Sequence, residues 1–193
     1  GRGAGAVSTN TVVGVNALSA NTTGIENTAV GATALGQNTT GNYNTAVGTS
    51  AGYAITTGTE NTALGDGPMS TGAGVTGSYN TAVGTSALYA VTSGANNVAV
   101  GNVALVGNTT GSHNTAVGRS ALQSNTTARY NTAVGYLAAY SNTTGTELTA
   151  IGYGALYGNT TGNYNTAVGR VVLYSNTTGQ HNHGLGGSSL WSN

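Results

Sequence analysis

Phenylalanine, cysteine and lysine do not occur in these 193 residues, and proline and tryptophan occur once each. Charged residues make up 4% of the chain, against roughly a quarter of an ordinary domain. The cations are Arg2, Arg119, Arg129 and Arg170, the anions are Glu26, Glu60, Asp66 and Glu147, and the formal net charge is +0. Each shortage excludes something. Four scattered arginines cannot build the dense basic face that releases counterions from nucleic acid, so no nucleic-acid partner is expected. They cannot anchor the chain electrostatically to a membrane either. No apolar run approaches the roughly 18 residues of a spanning helix, so no membrane insertion is expected. Without cysteine there is neither a disulfide nor a thiolate metal ligand. Disorder usually joins low hydrophobicity to high net charge. Here 38% of the residues are apolar and they are periodic, which predicts an ordered chain.

What is present is a repeat. Segments of the form Asn-Thr-Ala-Val-Gly begin at Asn10, Asn27, Asn44, Asn61, Asn80, Asn97, Asn114, Asn131, Leu148, Asn165 and Asn182. The consensus is N-T-A-V-G-x-x-A-L-Y-x-N-T-T-G-x-Y, a unit of 17 residues, with one step of 19 between Asn61 and Asn80. Position five is Gly in every unit, position four is always aliphatic and position nine is usually Leu. A helix fails because Gly or Asn-Thr-Thr-Gly interrupts every stretch before three turns can form. Thr and Val favour strands. One such unit cannot bury its own apolar face, but identical units stacked one strand spacing apart can. The expectation is therefore all-β: a parallel β-solenoid, or β-roll, of about eleven 17-residue coils. Residues 1–9 are expected to be an N-terminal linker or joint, and residues 10–193 a single solenoid with a two-residue insertion near 67–73.

Thr at position two and Val at position four lie on one strand face. Val98 in the Thr position suggests that this face is buried, so the expected core is Val, Ala, Leu and Thr. A second strand is expected at positions eight to ten. With its Leu inward, its aromatic neighbours Tyr53, Tyr89, Tyr140, Tyr157, Tyr174 and Trp191 point outward as a candidate interaction ladder. Such a stripe marks contact with another chain or with a ligand.

The Asn-Thr-Ala-Val-Gly-x-x-Ala core resembles the head repeats of trimeric autotransporter adhesins. Asn97-Val98-Ala99-Val100-Gly101 and Leu148-Thr149-Ala150-Ile151-Gly152 come closest to that Ser-Val-Ala-Ile-Gly pattern. The unit with Asn-Thr-Thr-Gly also looks like repeats of phage tail fibres and related bacterial surface proteins. The resemblance covers nearly the whole chain, from about Asn10 onward. It implies a left-handed β-roll, usually a homotrimer, that spaces or displays a binding surface. The unit here is longer than the usual head repeat and adds Leu and Tyr, which leaves a single-chain solenoid open.

Few residues suggest chemistry. Asn21, Asn38, Asn108, Asn125, Asn142, Asn159 and Asn176 each begin an Asn-Thr-Thr acceptor pattern for N-glycosylation; the same residues also suit tight turns. His181 and His183 lie on one strand face. In a trimer they could converge on an axial metal, but spacing alone does not make a ligand set, and no metal or other cofactor is expected. Glu26, Glu60 and Glu147 all fall at position seventeen without forming a close carboxylate pair. No catalytic constellation stands out, so no enzyme is expected. The expected function is a structural fibre or filament protein with an adhesive or surface-display role, extracellular, at the cell surface or on a virion. Its expected partners are its own copies, as a homotrimer or an end-to-end filament, and a surface glycan or receptor. The alternative is an ice-binding or carbohydrate-binding solenoid, suggested by the Thr and Asn ladders. The last residues, Leu190-Trp191-Ser192-Asn193, match Leu173-Tyr174-Ser175-Asn176, so the array is expected to continue or to dock at that end.

Overall fold

A computed structural model describes residues 9–191 of the chain. Of the expected N-terminal linker only Thr9 falls within that range, and Ser192 and Asn193 lie outside it. Eleven three-residue strands recur once per coil, from β1 (Thr11–Val13) and β2 (Thr28–Val30), through β4 (Thr62–Leu64) and β5 (Thr81–Val83), to β11 (His183–Leu185). They form one sheet in chain order, each strand parallel to the next. Like pairs with like: Val12 faces Ala29 and Thr28 faces Thr45. The 19-residue step leaves the register intact, with Thr62 opposite Thr81. The chain is a parallel β-solenoid, and ten steps of about 4.8 Å make it roughly 48 Å long.

The insertion is absorbed in one loop. Gly72 and Ala73 are exposed, whereas Pro68 and Met69 are buried. Met69 takes the place of Leu at position nine with the same left-handed backbone (φ 48). Val75 then rejoins the stack through a parallel bridge to Ile55.

The faces of the strand are the reverse of the sequence expectation. The middle residue, Ala, is buried, and its neighbours Thr and Val are half-buried or exposed. Val98, the residue that suggested burial, is itself exposed. The physical reason is room. The inner face already holds Asn of position one, Ala of position eight and Leu of position nine, so only a methyl fits at position three. At β11 that residue is Gly184, and a Cβ there would lie 2.5 Å from Cγ1 of Val172, which replaces the usual Ala of position eight. Volume added on one side is removed on the other, as close packing demands. The core is thus Ala, Ala and Leu, as in Ala116, Ala121 and Leu122.

The expected second strand does not form either. Positions six to eleven are a chain of tight turns among the described residues. Leu122 N–H donates to Ala138 O of the next coil (3.0 Å), while Asn125 N–H donates back to Leu122 O within its own coil (3.1 Å). This alternation needs left-handed backbone at positions seven and nine, as at Ser120 (φ 59) and Leu122 (φ 50). An L-residue there costs roughly 1–2 kcal/mol, and burial of a Leu side chain returns roughly 1.5–3 kcal/mol. The inward direction expected for Leu and the outward one for its aromatic neighbour both hold, on a turn instead of a strand.

Candidate functional site

Two columns of asparagine run through the interior. At position one, the Oδ1 of each Asn accepts the next Asn's backbone N–H: Asn27 N–H donates to Asn10 Oδ1 (2.8 Å) and Asn114 N–H to Asn97 Oδ1 (3.0 Å). The Nδ2 of the same residue closes the coil on a carbonyl fourteen residues on, as from Asn97 to Gly111 O (2.9 Å). At position twelve the column is made by the sequon asparagines. Asn142 Nδ2 donates to Asn125 Oδ1 (3.1 Å) and to Gly145 O (2.9 Å), and Asn159 Nδ2 donates to Asn142 Oδ1 (3.0 Å). Asn21, Asn38, Asn108, Asn125, Asn142, Asn159 and Asn176 are all buried, none more than 2% exposed. The nitrogen that would carry a glycan is therefore inside the coil and already donating hydrogen bonds. In the folded chain this geometry favours the turn role, one of the two readings that Asn-Thr-Thr allows.

That second column is interrupted. Ile55, Val75 and Val91 occupy position twelve in three successive coils, around the insertion, and form an apolar stretch of the core. The interruption leaves Asn38 Oδ1 buried without a hydrogen-bond partner, because the Ile55 side chain has no N–H to offer it and its backbone N–H already donates to Gly52 O. This stretch of the ladder ends where the neighbouring side chains turn aliphatic.

Aromatic residues form three rows on the outside. Tyr140, Tyr157, Tyr174 and Trp191 of the expected ladder stack continuously, with centroids 5.2, 4.8 and 4.7 Å apart and planes within 13°. Tyr53 and Tyr89 stand apart from that stack, and the Tyr53 ring covers Gly36, where a Cβ would come within 2.9 Å of it. Stacked rings cover one another's faces and leave mainly edges to solvent, so the row acts as a brace worth about 0.5–1.5 kcal/mol per pair. The second row lies at position six. Arg119, Tyr136, Tyr153 and Arg170 follow one another, with each guanidinium over a tyrosine (5.8 and 5.6 Å) and the two tyrosines adjacent (5.5 Å).

The third row, at position seventeen, alternates tyrosine with other groups: Glu26, Tyr43, Glu60 and Tyr79 early in the chain, then His113, Tyr130, Glu147, Tyr164 and His181. His113 stacks on Tyr130 (5.1 Å) and His181 on Tyr164 (4.9 Å). His181 is thus engaged with a tyrosine, and no group of three or more His, Asp or Glu able to hold a metal ion occurs among the described residues. Two surface concavities lie along this row. One, of about 490 Å³, is lined by Tyr130, Thr132, Glu147, Leu148 and Thr149. The other, of about 390 Å³, is lined by Tyr43 and Glu60. Tyr at position seventeen belongs to the consensus, so this row was visible in the sequence. Its alternation with Glu was the signal that could have singled it out.

The sheet's outer face completes the exterior. Thr stands at position two in nine of eleven strands and an aliphatic residue at position four in all of them. Comparison with protein-family models, with curated proteins and with solved structures finds no match.

Proposed function

We propose that this chain is a non-enzymatic rod segment of an extracellular, cell-surface or virion fibre, that it self-associates through the Thr/Val face of its sheet, and that it carries an adhesive outer surface. The observation that supports this most is the aliphatic column at position four. Val47 is 41% exposed, Val134 36% and Ile151 39%, although they sit on the most regular surface of the molecule. Eleven three-residue strands present a stripe of about 480 Å², roughly 48 Å by 10 Å. The aliphatic column runs unbroken along that face, and the largest apolar patch of a protein, commonly about 300–600 Å², is often functional. A second copy laid face to face removes the column from water, and the in-register sheet makes the contact repeat at every coil. The interior needs no partner, since each coil closes its hydrogen bonds with its neighbours, so length and display are the properties such a fold supplies.

The test is the mass of the native particle, measured with the pair Val47→Asp and Val134→Asp. The wild-type chain is expected to run as a dimer or trimer and the double variant as a folded monomer. A wild-type monomer at micromolar concentration, with no rods in electron micrographs, refutes the reading.

The same face favours a second reading, in which a monomeric rod binds ice. The sequence suggested an inward Thr column, whereas in the fold it points outward. Hydroxyls recur about 4.8 Å along the rod and methyl groups lie about 6.6 Å across it, on a flat face without Asp, Glu, Lys or Arg at positions two and four. Thermal hysteresis by the monomer, lost in the same double variant, would favour this reading over self-association.

A further inference from the structure

We propose that the Tyr-Glu-Tyr runs of the position-seventeen row, Tyr43-Glu60-Tyr79 and Tyr130-Glu147-Tyr164, are two equivalent binding notches for a neutral saccharide. The proposal deepens the adhesive reading by naming where the ligand sits and of what class it is.

Rings one coil apart in this molecule are 4.7–5.5 Å between centroids. Two tyrosines separated by a glutamate are two coils apart, or about 10 Å along the rod. Contact at about 3.5–4.0 Å on each side leaves room between them for one non-aromatic ring, too thick for the spacing of a stacked pair. In the second notch the outer faces are already taken, by His113 on Tyr130 and by His181 on Tyr164. Their free faces therefore look toward Glu147. Tyr43, Tyr79, Tyr130 and Tyr164 are 43–55% exposed, so none of these rings serves the core. Each concavity found on this row has a tyrosine followed one coil later by the glutamate, so the same local shape arises twice from the same register.

The chemistry selects the ligand. Aromatic faces attract the polarised C–H side of a pyranose through the ring quadrupole. A carboxylate only accepts hydrogen bonds, and paired hydroxyls of a sugar offer two donors at once. Neither Glu60 nor Glu147 spends its carboxylate on an ion pair or a side-chain hydrogen bond among the described residues. A cationic ligand suits the first notch, but the second has Arg129 next to Tyr130. A neutral polyol is the class that both accept. Glu60 and Glu147 are five coils apart, about 24 Å along one row. Two weak contacts on a rigid rod then act together on a polymeric glycan.

The test uses the full chain and saturation-transfer NMR with three probes, the methyl glycosides of mannose, galactose and N-acetylglucosamine. Transfer to ring protons of at least one probe is expected. The double variant Glu60→Ala/Glu147→Ala is expected to lose it by tenfold or more, with its melting curve unchanged because both side chains are exposed. Tyr140→Ala, in the braced row, is expected to keep it. No transfer to any probe, or transfer untouched by the double variant, overturns the proposal, as does equal loss in Tyr140→Ala. Failure here leaves the rod's self-association intact, so it is distinguishable from failure of the structural reading, which the particle mass reports.

Discussion

Replacing Asn142 by Val should destabilise the rod more than replacing Asn38 by Val, although both asparagines occupy position twelve and both are fully buried. Asn142 stands inside a ladder. Its loss removes two donated bonds and one accepted bond, and leaves Asn125 Oδ1 with only a long contact from Asn131 Nδ2 at 3.5 Å. Asn38 stands at a ladder end. It donates to Asn21 Oδ1 (3.0 Å) and Gly41 O (3.1 Å), but its own Oδ1 has no partner. Removing it deletes one orphan and creates another at Asn21, so the number of orphans is unchanged. A net bond contributes about 1 kcal/mol, and a newly orphaned buried acceptor costs about 1–3 kcal/mol. The two variants should therefore differ by about 2–4 kcal/mol, with burial of the new valine offsetting both equally. Urea denaturation followed by circular dichroism measures the difference, provided the slope is unchanged between the variants. Equal midpoints would refute the idea that the amide column holds the coils together. The apolar segment Ile55, Val75 and Val91 shows that a run of coils can do without the ladder, so the cost is specific to breaking a ladder already begun.

Three further outcomes follow from the backbone and the sequons. Gly118→Ala should destabilise by more than about 2 kcal/mol by thermal or urea melting: its φ of 129 is hostile to a side chain, and the new Cβ would lie 2.5 Å from Gly135 O of the next coil, a strain of the kind that costs about 1–3 kcal/mol before any clash. Val103→Asn should stabilise the rod by about 0.5–1 kcal/mol, read as a higher urea midpoint at unchanged slope, because a β-branched residue is held at φ 53 where Asn is far better tolerated; a lower midpoint would show that its half-buried packing outweighs the backbone term. An oligosaccharyltransferase supplied after folding should leave the intact mass unchanged, yet modify the same chain once urea has opened it; modification of the native rod would contradict burial of the seven sequon side chains.

The solenoid was legible in the sequence because its cause is local and repeated. Gly at position five, Asn at one and twelve and the spacing of 17 fix where each coil turns, and copies of one unit can bury their apolar residues only by stacking. The direction of the aromatic row was legible for the same reason, since a residue next to an inward Leu has only the outside left. The strand face was not. Alternation states that Thr and Val share a side, but which side is inward depends on how much volume the far wall of the coil already contributes. Leu122 and Ala121 fill that wall, and only the three-dimensional closure decides that Ala116 faces them while Thr115 and Val117 turn out. The sequons show the same limit. Asn-Thr-Thr reads identically at an exposed corner and at a buried ladder, and burial is a property of the stack. The notches on the position-seventeen row lie between these cases. Their register could be read from the repeat, whereas the stacking of His113 and His181 that leaves two tyrosine faces open toward Glu147 exists only because coils far apart in sequence stand one strand spacing apart in space.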